Sequence, residues 1–286
     1  MRLLDHTYAY SVFANGGVMA GVPVPPERRE PGYRELDPVC ILRVTDGRGR
    51  LLDEFRGPTV KDVLSPQVAY LITNILSDNA ARTPAYGANS PLLLSRPAAA
   101  KTGTTNNYVD AWTMGYNPQI AVGVWVGNSD YTAMDAMWGG RGAAPIWHDI
   151  MEYALKPLPV VDFTEPPGIE WVTVDAESGL LPGPYTRSTV KEVFIAGHQP
   201  TTVDNMHREF AICRASGKLA TNYCPLEEIE RQVFTLYPPQ ASDWVRLTNQ
   251  PQPPTEYCDV HGPNLRAAEA SITAPGTPSR GMEVNR

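Results

Sequence analysis

The stretch from residue 98 to residue 128 constrains the fold more than any other part of this chain. Ala98 to Thr102, Ala111 to Tyr116 and Ile120 to Val126 are three strand-like runs, and Asn117-Pro118 leaves room only for a tight turn between the last two. The pattern predicts an antiparallel meander. A Gly-rich loop, Gly139-Gly140-Arg141-Gly142, leads into Pro145 to Leu155, which presents Ile146, Trp147, Ile150, Met151 and Leu155 at helical spacing. A helix of this kind covers one face of such a meander. The expected fold class is therefore α+β, an antiparallel sheet with packed helices.

Upstream, Leu3 to Phe13 carries helical spacing and stops at Asn15-Gly16-Gly17. The chain thus opens within a helix, with no lead-in strand. Val39 to Val44 and Leu51 to Phe55 read as short strands around the turn Asp46-Gly47-Arg48-Gly49, and Cys40 in the first of them reads as a core thiol. Pro66 to Leu76 reads as a helix with Ser65 as N-cap and Pro at its first position. The 28 prolines are denser after position 157 than before it. That break suggests three parts: residues 1–157 as a compact domain, 158–270 as a Pro-rich, loop- and β-rich extension with short strands at Ile169 to Val174 and Val190 to Ile195, and 271–286 as a disordered tail. A net charge of −7 gives no basic stripe for nucleic acid, and no segment has the roughly 20 apolar residues that span a bilayer.

The chemistry concentrates in Lys101-Thr102-Gly103-Thr104-Thr105. Thr102 and Thr104 are two apart, so a strand holds both hydroxyls on one face. Gly103 has no side chain to keep a peptide off the strand edge. Lys101 adds an ammonium, and a cation with two hydroxyls on one rim would make a carboxylate receptor. The Thr104 backbone N–H could meet a developing oxyanion. The plainer reading is a Thr-rich strand end with a solvated lysine.

Lys101-Thr102-Gly103-Thr104 resembles the K-T-G signature of penicillin-binding proteins and serine β-lactamases, which also carry S-x-x-K and S-x-N. The surroundings resemble class A, bifunctional penicillin-binding proteins. Tyr8-Ala9-Tyr10-Ser11-Val12-Phe13-Ala14-Asn15-Gly16-Gly17 is similar to their helix end before the motif. Asp110-Ala111-Trp112, Val122-Gly123-Val124-Trp125-Val126-Gly127 and Ala144-Pro145-Ile146-Trp147 follow in the family's order, and a weaker likeness runs through Pro167-Gly168-Ile169 and Asp175 to Leu180.

The resemblance implies a D,D-transpeptidase region acting in peptidoglycan synthesis, with Lys101 as the catalytic-site cation and Thr102, Gly103, Thr104 and Thr105 holding substrate. The implied partners are a stem peptide ending in D-alanyl-D-alanine and β-lactams, in an extracytoplasmic cell envelope. The family's glycosyltransferase domain and membrane anchor would lie upstream. So would S-x-x-K and S-x-N, which precede the first helix in that family. The chain is accordingly expected to lack the acylated serine and to be inactive alone. Ser77-Asp78-Asn79 spells S-D-N but closes a helix, and Ser188-Thr189-Val190-Lys191 spells S-x-x-K but follows K-T-G. The alternatives are a non-catalytic envelope module that binds peptide, and a serine hydrolase that uses one of these two sets.

Three thiols and an imidazole stand in the extension as Cys213, Cys224, Cys258 and His261. Cys258-Asp259-Val260-His261 is compatible with half of a tetrahedral zinc site, although the ten residues between Cys213 and Cys224 are long for one. A Cys213–Cys224 disulfide suits an extracytoplasmic protein, and unlinked thiols are the third option. No cofactor is expected beyond that possible structural zinc.

Overall fold

The computed structural model describes residues 2–262, so the expected tail at 271–286 lies outside the described residues. The chain divides into two compact units, one of residues 1–170 with 193–198, the other of 171–192 with 199–286.

The first unit begins with α1 (Leu3–Ala14), then β1 (Val18–Pro23), β2 (Leu36–Asp37), β3 (Arg43–Thr45), β4 (Leu51–Glu54) and β5 (Thr59–Asp62). β1 runs antiparallel between β2 and β5, and β3 and β4 form their own hairpin. Cys40 precedes that hairpin and is exposed, which corrects its reading as a core thiol. The physical reason is that both strands of the hairpin are exposed along their whole length and offer no core to enter.

α2 (Pro66–Ser77) starts where expected, the Ser65 hydroxyl accepting the Val68 N–H at 3.3 Å. Asp78 then caps α3 (Asn79–Tyr86), its carboxylate accepting the Ala81 N–H at 2.9 Å. β6 (Ala99–Thr104), β7 (Asp110–Tyr116) and β8 (Ala121–Gly127) form the antiparallel meander in the order β6-β7-β8. The turn between β7 and β8 rests on buried Asn117, whose side-chain oxygen accepts the N–H groups of Gln119 and Ile120 at 2.9 and 2.8 Å.

Alternation along the strands gives the meander two faces. α4 (Ala143–Leu155) covers the face that carries Ala100, Gly115 and Val124, and buries Trp147, Met151 and Leu155 there. Each such side chain contributes about 1.5–3 kcal/mol by leaving water. Gly115 is required at this contact, since a Cβ there would stand 2.3 Å from the Trp147 ring. α1 covers the opposite face: His6 packs on Trp112, and Tyr10 and Phe13 on Tyr116. Burial pushes the Tyr116 phenol up to about 12, and its hydroxyl bonds to that of Thr73 at 2.8 Å. The sheet is sandwiched between helices, and α+β describes it.

The Pro-rich extension supplies β9 (Ile169–Asp175) paired with β10 (Thr189–Ile195), β11 (His207–Cys213) paired with β12 (Ile229–Thr235), and the short α5 (Ser242–Leu247). No helix among the described residues is long and apolar enough to cross a membrane.

Candidate functional site

β7 is the partner of β6 within its sheet, which leaves β6 as an edge strand. Ala99 and Ala100 are buried at its start, and Lys101, Thr104 and Thr105 are exposed at its end. The register sets Lys101 opposite Met114, Thr102 opposite Thr113 and Thr104 opposite Ala111. Thr102 and Thr104 therefore share one face, as their spacing requires. Lys101 falls on the other face, with Met114 and Trp112, so the cation and the hydroxyls do not stand on one rim.

The two hydroxyls differ in what they can still do. Thr102 is buried, and its hydroxyl is bonded to that of Tyr86 at 2.6 Å. Thr104 Oγ1 accepts the Gly139 N–H at 3.0 Å. A hydroxyl has one proton and two lone pairs, so accepting this bond leaves the Thr104 O–H free to donate outward. Thr105 Oγ1 accepts the Asp110 N–H at 2.8 Å and donates to the Asp110 carboxylate at 3.1 Å. Asp110 also accepts the Trp125 indole N–H at 2.7 Å, which ties the end of β6 to β8. The Lys101 ammonium donates to the Thr102 carbonyl at 2.5 Å.

Tyr86 and Gly139 support the motif without sequence proximity to it. The Gly139 loop lies against the strand so closely that a Cβ would stand 2.6 Å from the carbonyl oxygens of Gly103 and Trp112. Trp138 packs on the Tyr86 ring at 5.5 Å. The Gly-rich composition of residues 139–142 is the one sequence signal for this contact. Arg141 in the same loop is exposed.

The two serine sets serve local structure. The Ser77 hydroxyl donates to the Asn74 carbonyl at 3.1 Å, Asp78 caps α3, and the Asn79 side chain donates to the Ala88 carbonyl at 2.9 Å. The Ser188 carbonyl accepts the Ala176 N–H at 3.0 Å, and the Lys191 ammonium sits over the Trp171 ring at 5.5 Å.

The second unit brings Cys213, Cys224, Cys258 and His261 together, with one donor atom from each within 4.8 Å of the others. The three cysteines are buried and none is in a disulfide. A further cluster escaped the sequence reading. His207 is buried with Nδ1 2.8 Å from the Asp204 carboxylate and 3.6 Å from that of Asp175, and Nε2 2.9 Å from that of Glu177. Burial alone would lower the pKa of this imidazole. The bonds to Glu177 and Asp204, with the charges of Asp204 and Asp175, outweigh it and raise the pKa instead.

The C-terminal domain family of penicillin-binding protein 1A matches residues 165–209. Penicillin-binding protein 2D of Bacillus subtilis is 31% identical over 209 residues, covering 71% of this chain and 27% of that protein. Penicillin-binding protein 1A of Clostridium botulinum is 30% identical over 236 residues, covering 79% of this chain and 26% of that protein. The crystal structure of penicillin-binding protein 1A from Haemophilus influenzae superposes with a TM-score of 0.57 at 24% identity, over 72% of this chain and 33% of that one, and shows the same fold. The chain spans about a quarter of the length of these curated relatives. It belongs to the penicillin-binding proteins, and within them to class A, over the transpeptidase region.

Proposed function

We propose that β6 is the substrate strand of a D,D-transpeptidase centre acting in peptidoglycan synthesis. The observation that carries this reading is an edge strand bearing Lys101-Thr102-Gly103-Thr104-Thr105 in a chain whose relatives are penicillin-binding proteins.

A stem peptide ending in D-alanyl-D-alanine adds to this edge as a further strand, its main chain supplying affinity and its side chains selectivity. Gly103 keeps the edge low. The free Thr104 O–H donates to the terminal carboxylate, and the Thr104 backbone N–H faces the oxyanion that forms during acyl transfer. Lys101 reaches the same region by its flexible stem and supplies positive field, while Thr102 acts through Tyr86 to hold the strand in place. β-Lactams would take the peptide's position. Acyl transfer also needs an activated serine. The Ser77 hydroxyl is committed to a helix end and Ser188 follows K-T-G in the chain, so the reading assigns the nucleophile to another segment. The proposal includes an envelope location outside the cytoplasmic membrane, in keeping with the relatives' family.

Calorimetric titration with a peptide ending in D-Ala-D-Ala tests the reading. Saturable binding is expected, weakened about ten- to a hundredfold by Thr104→Val, since one charge-assisted hydrogen bond is worth about 1.5–3 kcal/mol. Gly103→Val should abolish it while leaving the fold intact, because a Cβ there meets the nearest atom of Trp112 at an ordinary 3.4 Å. Equal affinity for a peptide ending in L-Ala-L-Ala would refute the site. Covalent labelling by a fluorescent penicillin that disappears in Ser77→Ala would return the nucleophile to Ser77.

A further inference from the structure

We infer that Cys213, Cys224, Cys258 and His261 form a structural zinc site that organises the second unit. The proposal is independent of the transpeptidase reading. Its first support is donor geometry. His261 Nδ1 lies 3.3 Å from the Cys213 sulfur and 3.5 Å from the Cys258 sulfur. Zinc at its usual bond lengths, about 2.3 Å to sulfur and 2.0–2.1 Å to nitrogen, puts tetrahedral S and N donors about 3.5 Å apart. Three thiolates and an imidazole are a donor set that suits zinc rather than magnesium or calcium, which take oxygen.

The second support is what surrounds the donors. The other ring nitrogen of His261, Nε2, lies 3.2 Å from the Glu228 carboxylate. A metal on Nδ1 would leave the ring proton on Nε2, facing a carboxylate oxygen that has no other hydrogen-bond partner, the arrangement that orients a metal-binding histidine. A backbone N–H, that of Thr221, donates to the Cys224 sulfur at 3.3 Å, and the Thr221 hydroxyl lies 3.6 Å from the same sulfur. Amides aimed at sulfur stabilise thiolate, the form that binds metal.

The third support is the core. The three cysteines are themselves the centre of a buried cluster, and the hydrophobic residues packed against it are Ala220 and Ile229. Little apolar surface is hidden there to offset the ordering of three separate segments. Leu219 stitches those segments, bridging Ile212 on one side and Tyr257 on the other. A metal ion closing the loop from Cys224 to Cys258 supplies the missing stabilisation, as in small metal-organised domains. A disulfide between any two of the thiols would engage two of the four converging donors and leave the third thiol and the imidazole outside the link.

The test is metal analysis of the full chain, expressed with zinc available and purified with a thiol reductant. One zinc per chain is expected, with cobalt replacement giving the strong sulfur-to-cobalt absorption of a tetrahedral site. Cys258→Ser should lose the metal. Because that variant could simply misfold, His261→Cys serves as the second arm and should keep one zinc per chain. Glu228→Gln should weaken zinc retention against a chelator by about ten- to a hundredfold. A metal-free chain with three titratable buried thiols would overturn the proposal, as would iron in place of zinc, or a disulfide among the three in chain purified without reductant.

Discussion

The β6-β7-β8 sheet and the β11-β12 region bury side chains of opposite character. Around the sheet the core consists of Trp147, Met151, Leu155, Met114 and Tyr116, packed by shape between two helices. In the second unit the fully or almost fully buried groups include Cys213, Cys258, Asp175, Asp204 and His207. The first core is held by apolar burial, which is indifferent to pH and to metal ions. The second is held by charge pairing and donor geometry, which respond to both. A rigid apolar support suits a strand edge that must keep its shape while staying open. The second unit depends on the charge pairing of His207 with its carboxylates and, in our proposal, on zinc.

Metal removal separates the two regions most strongly. A chelator that strips the proposed zinc should cost the second unit on the order of 10 kcal/mol and abolish its cooperative transition, while the sheet's transition stays in place. Calorimetry on the full chain reads both. Trp147→Ala should do the converse, lowering the sheet's transition by about 3–5 kcal/mol through the cavity it leaves.

His207→Gln should cost about 3 kcal/mol, because it leaves Asp175 and Asp204 buried without their cation. The pH dependence has a definite sign. The folded pKa of His207 is raised, so its stabilisation is complete below the usual imidazole value of about 6.5 and is lost as pH rises through the folded value. Asp175 and Asp204 have lowered pKa values, so their contribution fades as pH falls through the folded values. Thermal melts across pH should therefore show a maximum for the second unit, with an alkaline limb that His207→Gln flattens. Gly115→Ala is the smaller perturbation of the sheet, about 1–3 kcal/mol, since the new methyl group overlaps the Trp147 ring and approaches the Ala99 carbonyl oxygen at 2.8 Å.

Most of the sheet was legible in the sequence because its determinants are local. Ser65-Pro66 starts α2, Asn117-Pro118 closes the β7–β8 turn, and alternation marks the strands. The K-T-G edge could be read for the same reason, since two-residue spacing alone sets Thr102 and Thr104 on one face. Which hydroxyl stays available could not be read, because Tyr86 and Gly139 decide it and both lie far off in sequence. The β11-β12 pair was missed altogether. Its strands mix charged and apolar residues, and the segment between them, residues 214–228, is too long to read as a tight hairpin connection. The gathering of Cys258 and His261 onto Cys213 likewise depends on the bridges through Leu219, which leave no local pattern. The pairing of His207 with Asp175 and Glu177 is equally non-local.

The central claim is that the β6 edge receives a peptide as an added strand. Residue-by-residue amide hydrogen exchange, with and without a peptide ending in D-Ala-D-Ala, tests it most directly. The account predicts slowed exchange concentrated in Lys101 to Thr105, absent in Gly103→Val, with the β11-β12 amides unchanged. Protection that appears elsewhere and leaves Lys101 to Thr105 untouched would contradict it.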